Sequence, residues 1–471
     1  MSTPSRSKAA WIWALLVLAA VLPPAAGRAQ DDEEEKRRKD PRDAVQPLET
    51  GRYFRYKRRP VLLLGGGPHS VLWNPAISYK QLHATVARAG INANRVTVLG
   101  TANPDHQAFA RQSDGRFDLS TFNDAFWTRL KSYVVDADNH GIVVMLAILD
   151  DSGVGPGKPA WEAHPFHPAN NTQGLVLNKE RGDIGTAGAR GSFFDPDNAE
   201  LLRWQTALVE KTIQETQDFP NVIYLFGSGG AAAGDGWVTN WIDLVARKER
   251  EGQALKEKKK RPLPRCVVVD ILARSAAPAQ AASKPEVDGL ELTGLAGIDL
   301  FETISALSTR TTKPLVLRMA TTDATPQGNS AEAFRSEIWK IFMAGGNLAG
   351  YRLFYSGKGE AEGGVIDAKM LDAIEALRKF AASVPFWQMR PAPEVIRGGH
   401  ALLEPGKALA LYLPDSSSVE VDTSSIKGTL IGRWYDIRSA EAMQGFSVAA
   451  GGWVKLDTPR RGDWALSLTR P

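Results

Sequence analysis

Short apolar runs alternate with amphipathic stretches along most of this chain. Pro60 to Gly66 reads as a buried strand ending in glycines. Tyr79 to Ala89 follows, with Leu82, Val86 and Ala89 at helical spacing and Gly90 as the stop. Ile91 to Leu99 is a second strand, and Phe117 to Asn139 contains a long helix carrying Phe122, Phe126, Leu130 and Val134 on one face. Ile142 to Leu149 is wholly apolar, the pattern of a strand buried on both sides in a parallel sheet. Helix Ala199 to Thr216 pairs with strand Asn221 to Gly227, and helix Trp237 to Glu251 leads to strand Arg265 to Leu272. Ile298 to Thr303 is the expected sixth strand, Lys313 to Ala320 the seventh with helix Ala331 to Ala344, and Leu348 to Tyr355 with Met370 to Ala382 the eighth unit. Repeated β/α units over residues 50–385 predict an α/β fold, a (β/α)8 TIM barrel. Residues 386–471 lose the helical period and show short strand candidates between Gly, Pro, Asp and Ser turns, which predicts a small all-β sandwich.

The N-terminus changes the picture of charge. Residues 1–29 read as a secretory signal peptide, with Arg6 and Lys8 before the apolar run Ala9 to Leu22 and a small-x-small site at Gly27-Arg28-Ala29. A secreted or periplasmic protein is expected, with anchoring by an uncleaved leader as the alternative. Loss of the three cationic leader residues lowers the formal charge from +4 to +1, so basicity gives no reason to expect a nucleic-acid partner. Residues 30–49 form a charged run expected to be a solvated, disordered spacer. The single cysteine, Cys266, excludes an internal disulfide framework, and its apolar neighbours predict a buried structural thiol.

Four motifs resemble a known tandem: a glycosidase-like TIM barrel followed by the β-sandwich labelled a collagen-binding domain of a collagenase. Phe54 to Gly65 is similar to the family opening, and Ala89-Gly-Ile-Asn-Ala-Asn-Arg-Val96 to the motif whose arginine supports the nucleophile. Phe334 to Gly346 is similar to the helix before the last strand. Tyr412-Leu-Pro414, Arg433-Trp-Tyr-Asp436 and Gly462 to Leu468 follow the sandwich pattern. The resemblance implies action on glycans, but its acid/base glutamate falls on Gly229 and its nucleophile on about Met319. A retaining glycosidase needs two carboxyl groups about 5–5.5 Å apart, and glycine and methionine supply neither.

In a TIM barrel the C-terminal strand ends carry function. Those ends present Asp151, Asp270 and Glu302 as candidate relocated catalytic carboxylates, and His69, Trp73, Arg95, Ser228, Arg318 and Tyr355 as candidate saccharide contacts, with Trp161 a further platform. The bland alternatives are that Asp150 caps a loop, that Asp270 and Glu302 pair with Arg274 or Arg318, and that the aromatics are core. Arg95 is left to pair with Asp270 or Glu302, or to hold an anionic sugar. Asp151 to Pro196 is long enough for a lid or binding wall. Its His164-Pro-Phe-His167 pair lacks the third ligand that a zinc site needs. No HExxH, P-loop or G-x-S-x-G pattern occurs, so metallopeptidase, phosphate-loop and nucleophile-elbow readings have no support, and neither a metal nor a cofactor is expected. Three functions stay open: a polysaccharide- or oligosaccharide-binding pseudoenzyme, an O-glycoside hydrolase with relocated carboxylates, and an envelope or matrix adhesin acting through residues 387–471.

Overall fold

The computed structural model describes residues 40–100, 103–150, 154, 159–177, 193–227, 235–256, 263–272, 280–295, 297–319, 331–351, 355–356, 365–439 and 441–471. Seven parallel strands lie side by side in chain order: β1 (Ala93–Thr97), β2 (Val143–Ala147), β3 (Val222–Phe226), β4 (Cys266–Leu272), β5 (Gly289–Thr293), β6 (Leu315–Met319) and β7 (Asn347–Tyr351). The segment ending in Leu64 and Gly65 closes the ring, because Leu64 bridges Leu348 and Gly65 bridges Ala93, both in parallel. This closing segment is stitched partly by side chains. Asn92 Oδ1 accepts from Leu64 N at 2.7 Å while its Nδ2 donates to Leu62 O, and Asn347 Oδ1 accepts from Leu63 N at 3.1 Å. Its backbone groups are therefore satisfied without a regular ladder. The (β/α)8 barrel is closed.

Helices α1 (Tyr79–Ala89), α2 (Asp124–Asn139), α3 (Ala199–Thr216), α4 (Asp235–Lys256), α5 (Leu300–Ser308), α6 (Ala331–Met343) and α7 (Ala368–Ala381) surround it. Local chemistry sets several boundaries. Gly90 closes α1 in the left-handed conformation, φ 92°, and Asn123, Asn198, Asp299 and Asp367 accept backbone N–H groups at the starts of α2, α3, α5 and α7. Among the described residues no helix is long and apolar enough to cross a membrane.

Two expectations need correction. The sixth strand is Gly289–Thr293, and most of the residues assigned to it, Leu300 onward, open helix α5. Asp299 accepts the Glu302 N–H at 2.9 Å, an N-cap that overrides the weak strand pattern. The ordered barrel also begins before residue 50. Gln46–Pro47, Phe54–Tyr56 and Arg59–Val61 form a small antiparallel sheet, and Val45, Phe54 and Tyr56 join the barrel's inner apolar cluster. They plug its N-terminal end. Cys266 lies in that same cluster, where burial pushes its thiol pKa up.

The C-terminal residues form a separate antiparallel sheet of β8 (His400–Glu404), β9 (Ala408–Asp422), β10 (Thr429–Asp436), β11 (Phe446–Ala449) and β12 (Trp453–Thr469), with short edge pairs. The long β9–β12 pair breaks register between Leu413 and Ser418, so the sheet folds over its own core of Leu411, Leu413, Val421, Trp434 and Leu466. Alternation on β9 sends Leu411 and Leu413 into that core and Tyr412 toward the barrel. Tyr412 stacks on Trp339 at 5.5 Å, and Tyr435 meets Phe380 edge-on at 5.1 Å. The sandwich is docked on α6 and α7.

Candidate functional site

The barrel interior is layered by strand parity. Ala93, Leu225, Val268 and Val316 belong to the inner apolar cluster, and a Cβ on Gly289 would meet Val268 and the Phe54 ring. Two residues further along the same strands come Arg95, Gly227, Asp270, Arg318 and Glu291. Since side chains repeat every second residue in a strand, these form the next layer toward the C-terminal mouth. An apolar floor therefore carries a charged layer.

Arg95 organises that layer. Its Nε donates to Glu291 Oε1 at 2.9 Å and its Nη2 to Asp150 Oδ2 at 2.5 Å. Arg318 approaches the same two carboxylates, with Nη1 at 3.4 Å from Asp150 Oδ2 and Nε at 3.9 Å from Glu291 Oε2. Glu291 is fully buried, and its Oε2 has no hydrogen-bond partner. Burial opposes the charge on Arg95, but the Glu291 and Asp150 carboxylates outweigh it and hold its pKa above the ordinary arginine value. Asp270 is the register neighbour of Glu291 on the adjacent strand, and its Oδ2 lies 3.5 Å from where a Cβ on Gly227 would stand. Among the described residues the layer thus holds two guanidinium groups and three carboxylates, all buried except Arg318, whose side chain is 21% exposed.

The structure brings Arg95, Arg318 and Asp270 together and places Glu302, Trp73 and Trp161 elsewhere. Glu302 is an exposed residue in the first turn of α5 rather than on a strand, so the Asp270–Glu302 pair is replaced by Asp270–Glu291. Trp73 is not an open sugar platform. It is 7% exposed, its Nε1 donates to Thr97 Oγ1 at 3.1 Å, and its ring sits where a Cβ on Gly100 would fall. Trp161 is likewise fully buried, against His164, His167 and Phe193. His69, half-buried, meets Trp73 edge-on and accepts the Thr97 N–H through its carbonyl. Tyr355 lies in a two-residue strand paired with Ile366, and Met319 ends β6. Asp151, Ser228, Gly229 and Arg274 lie outside the described residues.

His164 and His167 act as turn acceptors: the Nδ1 of each takes a backbone N–H, from Phe166 and Ala169, at 3.2 Å. Burial, then the neighbouring His167, pushes His164 down to about 3. Glu291 escaped the sequence reading because its strand was misplaced. The signal was present in Gly289-Leu-Glu-Leu-Thr293, one charge inside an alternating apolar run that ends at Gly294.

No family model matches the chain, and neither does any curated protein. Solved structures do. One, titled glycoside hydrolase, superposes with a TM-score of 0.58 at 13% identity, over 90% of this chain and 96% of its own. A glycoside hydrolase family 5 structure from Bacteroides vulgatus gives 0.58 at 15% identity, over 90% of this chain and 93% of its own. The likeness is one of fold. It spans both domains.

Proposed function

We propose that the barrel mouth recognises a polysaccharide or oligosaccharide without turning it over, in an exported protein. The observation that carries this reading is the engagement of Asp150 and Glu291 by Arg95, with Arg318 alongside. A buried guanidinium–carboxylate layer is a rigid array of donors and acceptors suited to sugar hydroxyls, with Arg318 the member that reaches solvent. Gly229 and Met319, at the positions of the family's acid/base and nucleophile, support the absence of hydrolysis. Losing general acid/base help alone costs about 10²- to 10⁴-fold.

A second reading has one observation in its favour: Asp270 and Glu291 are register neighbours on adjacent strands, both inside the barrel. Incubation with a panel of plant and microbial glycans separates the two. Binding by calorimetry that Arg318→Ala weakens, with no reducing ends released, fits the binder. Release of reducing ends that Asp270→Asn abolishes would overturn it in favour of a hydrolase.

A further inference from the structure

We propose that His83, Asp136 and His140 form a binding site for a divalent transition-metal ion of the zinc class, on the outer wall of the barrel between α1 and α2. Asp136 and His140 stand four residues apart near the C-terminal end of α2, so they share one helical face. His83 reaches them from α1. One donor atom from each residue lies within 4.8 Å of the other two. His83 Nδ1 is 2.7 Å from Asp136 Oδ2, and His140 Nδ1, which donates to the Asp136 carbonyl at 2.8 Å, is 3.7 Å from the same carboxylate oxygen, so ligation through that nitrogen moves the His140 ring proton to Nε2. Two donors each about 2.0–2.1 Å from a tetrahedral ion stand roughly 3.3 Å apart, so the two separations bracket the required value. Two imidazoles and one carboxylate with an open fourth position suit zinc-class ions rather than calcium or magnesium.

The surroundings support a ligand at this place. His83 is buried at 1% side-chain exposure, Asp136 at 19% and His140 at 31%, so the cluster opens to solvent on one side. Asp136 also lines an open groove of about 760 Å³. The His83 ring is clamped between Tyr133, at 4.6 Å, and Tyr79, at 6.0 Å, and Tyr133 is fixed in turn by the Asn94 amide, which donates to its hydroxyl at 2.7 Å. Such outer contacts preset a ligand's orientation. Meanwhile His83 Nε2 is buried without a hydrogen-bond partner. Its Nδ1–H satisfies Asp136 alone; when an ion takes the Nδ1 lone pair, the ring keeps its single proton on Nε2.

The test uses the full chain after dialysis against a chelator, titrated with Zn²⁺ by calorimetry and with Co²⁺ by visible absorption. One equivalent should bind, with the d–d bands of a four- or five-coordinate Co²⁺ ion. His140→Ala, near the surface, and Asp136→Asn should each lose more than about 100-fold in affinity, since even outer partners of metal ligands cost 10–100-fold. His106→Ala should bind as the parent does. Absence of a saturable equivalent, or unchanged affinity in His140→Ala, overturns the site.

Discussion

Arg95 Nε donates to Glu291 Oε1 at 2.9 Å, joining residues 196 positions apart across the closed barrel. The bond is buried at both ends, which makes it costly to break from one side only. Arg95→Met removes the closer of two guanidinium groups from the buried Glu291 and Asp150 carboxylates, leaving the longer contacts of Arg318 at 3.9 and 3.4 Å, and about 3 kcal/mol of stability should be lost. Arg95→Met combined with Glu291→Met should recover part of that loss. Urea denaturation of the three variants checks this; a single-variant cost below about 1 kcal/mol, the range of exposed pairs, would refute burial of the bond.

Gly100 and Trp73 supply a steric prediction. A Cβ at position 100 would stand 2.1 Å from ring atoms of Trp73. Gly100→Ala must push that ring out of its slot, and overpacking of this kind costs about 1–3 kcal/mol. Unchanged urea unfolding in Gly100→Ala would show that the ring has room to move.

Opposed pH dependences follow from His164 and Asp288. His164 falls from 6.5 to about 3 in the fold, so its contribution is complete above pH 6.5 and is lost as pH drops toward 3. Asp288 is raised by burial from 3.8 to about 7, against the pull of the Val267 N–H that it accepts, so its contribution is complete below 3.8 and is lost as pH rises to 7. The two slopes oppose each other across the shared window. Asp288→Asn should therefore make stability climb more steeply with pH, and His164→Asn should reverse the slope. Denaturation series between about pH 4 and 8 decide it, because a one-unit pKa difference is worth about 1.4 kcal/mol.

The docked sandwich predicts one cooperative unit. Tyr412 is fully buried between the domains, stacked on Trp339. Truncating it to alanine should cost about 3–5 kcal/mol, as large aromatic core deletions do. Scanning calorimetry of the parent should show a single transition. Two separated transitions, unaffected by Tyr412→Ala, would mean that the domains unfold independently.

Apolar alternation made the architecture legible, since Ile142 to Leu149 and the period of Tyr79 to Ala89 each report locally which face is buried. The one misplaced strand shows the limit of that signal. Asp299 capping Glu302 and the short run Gly289–Thr293 compete within fifteen residues, and hydrogen bonding to the helix start decided the boundary. Arg95, Arg318 and Asp270 were legible as residues of the layer at the barrel mouth because strand ends can be counted. Glu291 as their partner was not, and neither was the burial of Trp73.

By itself, then, the order of apolar and polar residues determined a barrel with a β domain behind it. Only the closed structure decided which charges meet. Periodicity fixes the direction of a side chain relative to its own strand, whereas the partner of Arg95 depends on how far each strand is displaced along its neighbours when the ring shuts. That displacement is a property of the whole ring, set by packing and hydrogen bonding between segments far apart in the chain, and no local pattern encodes it.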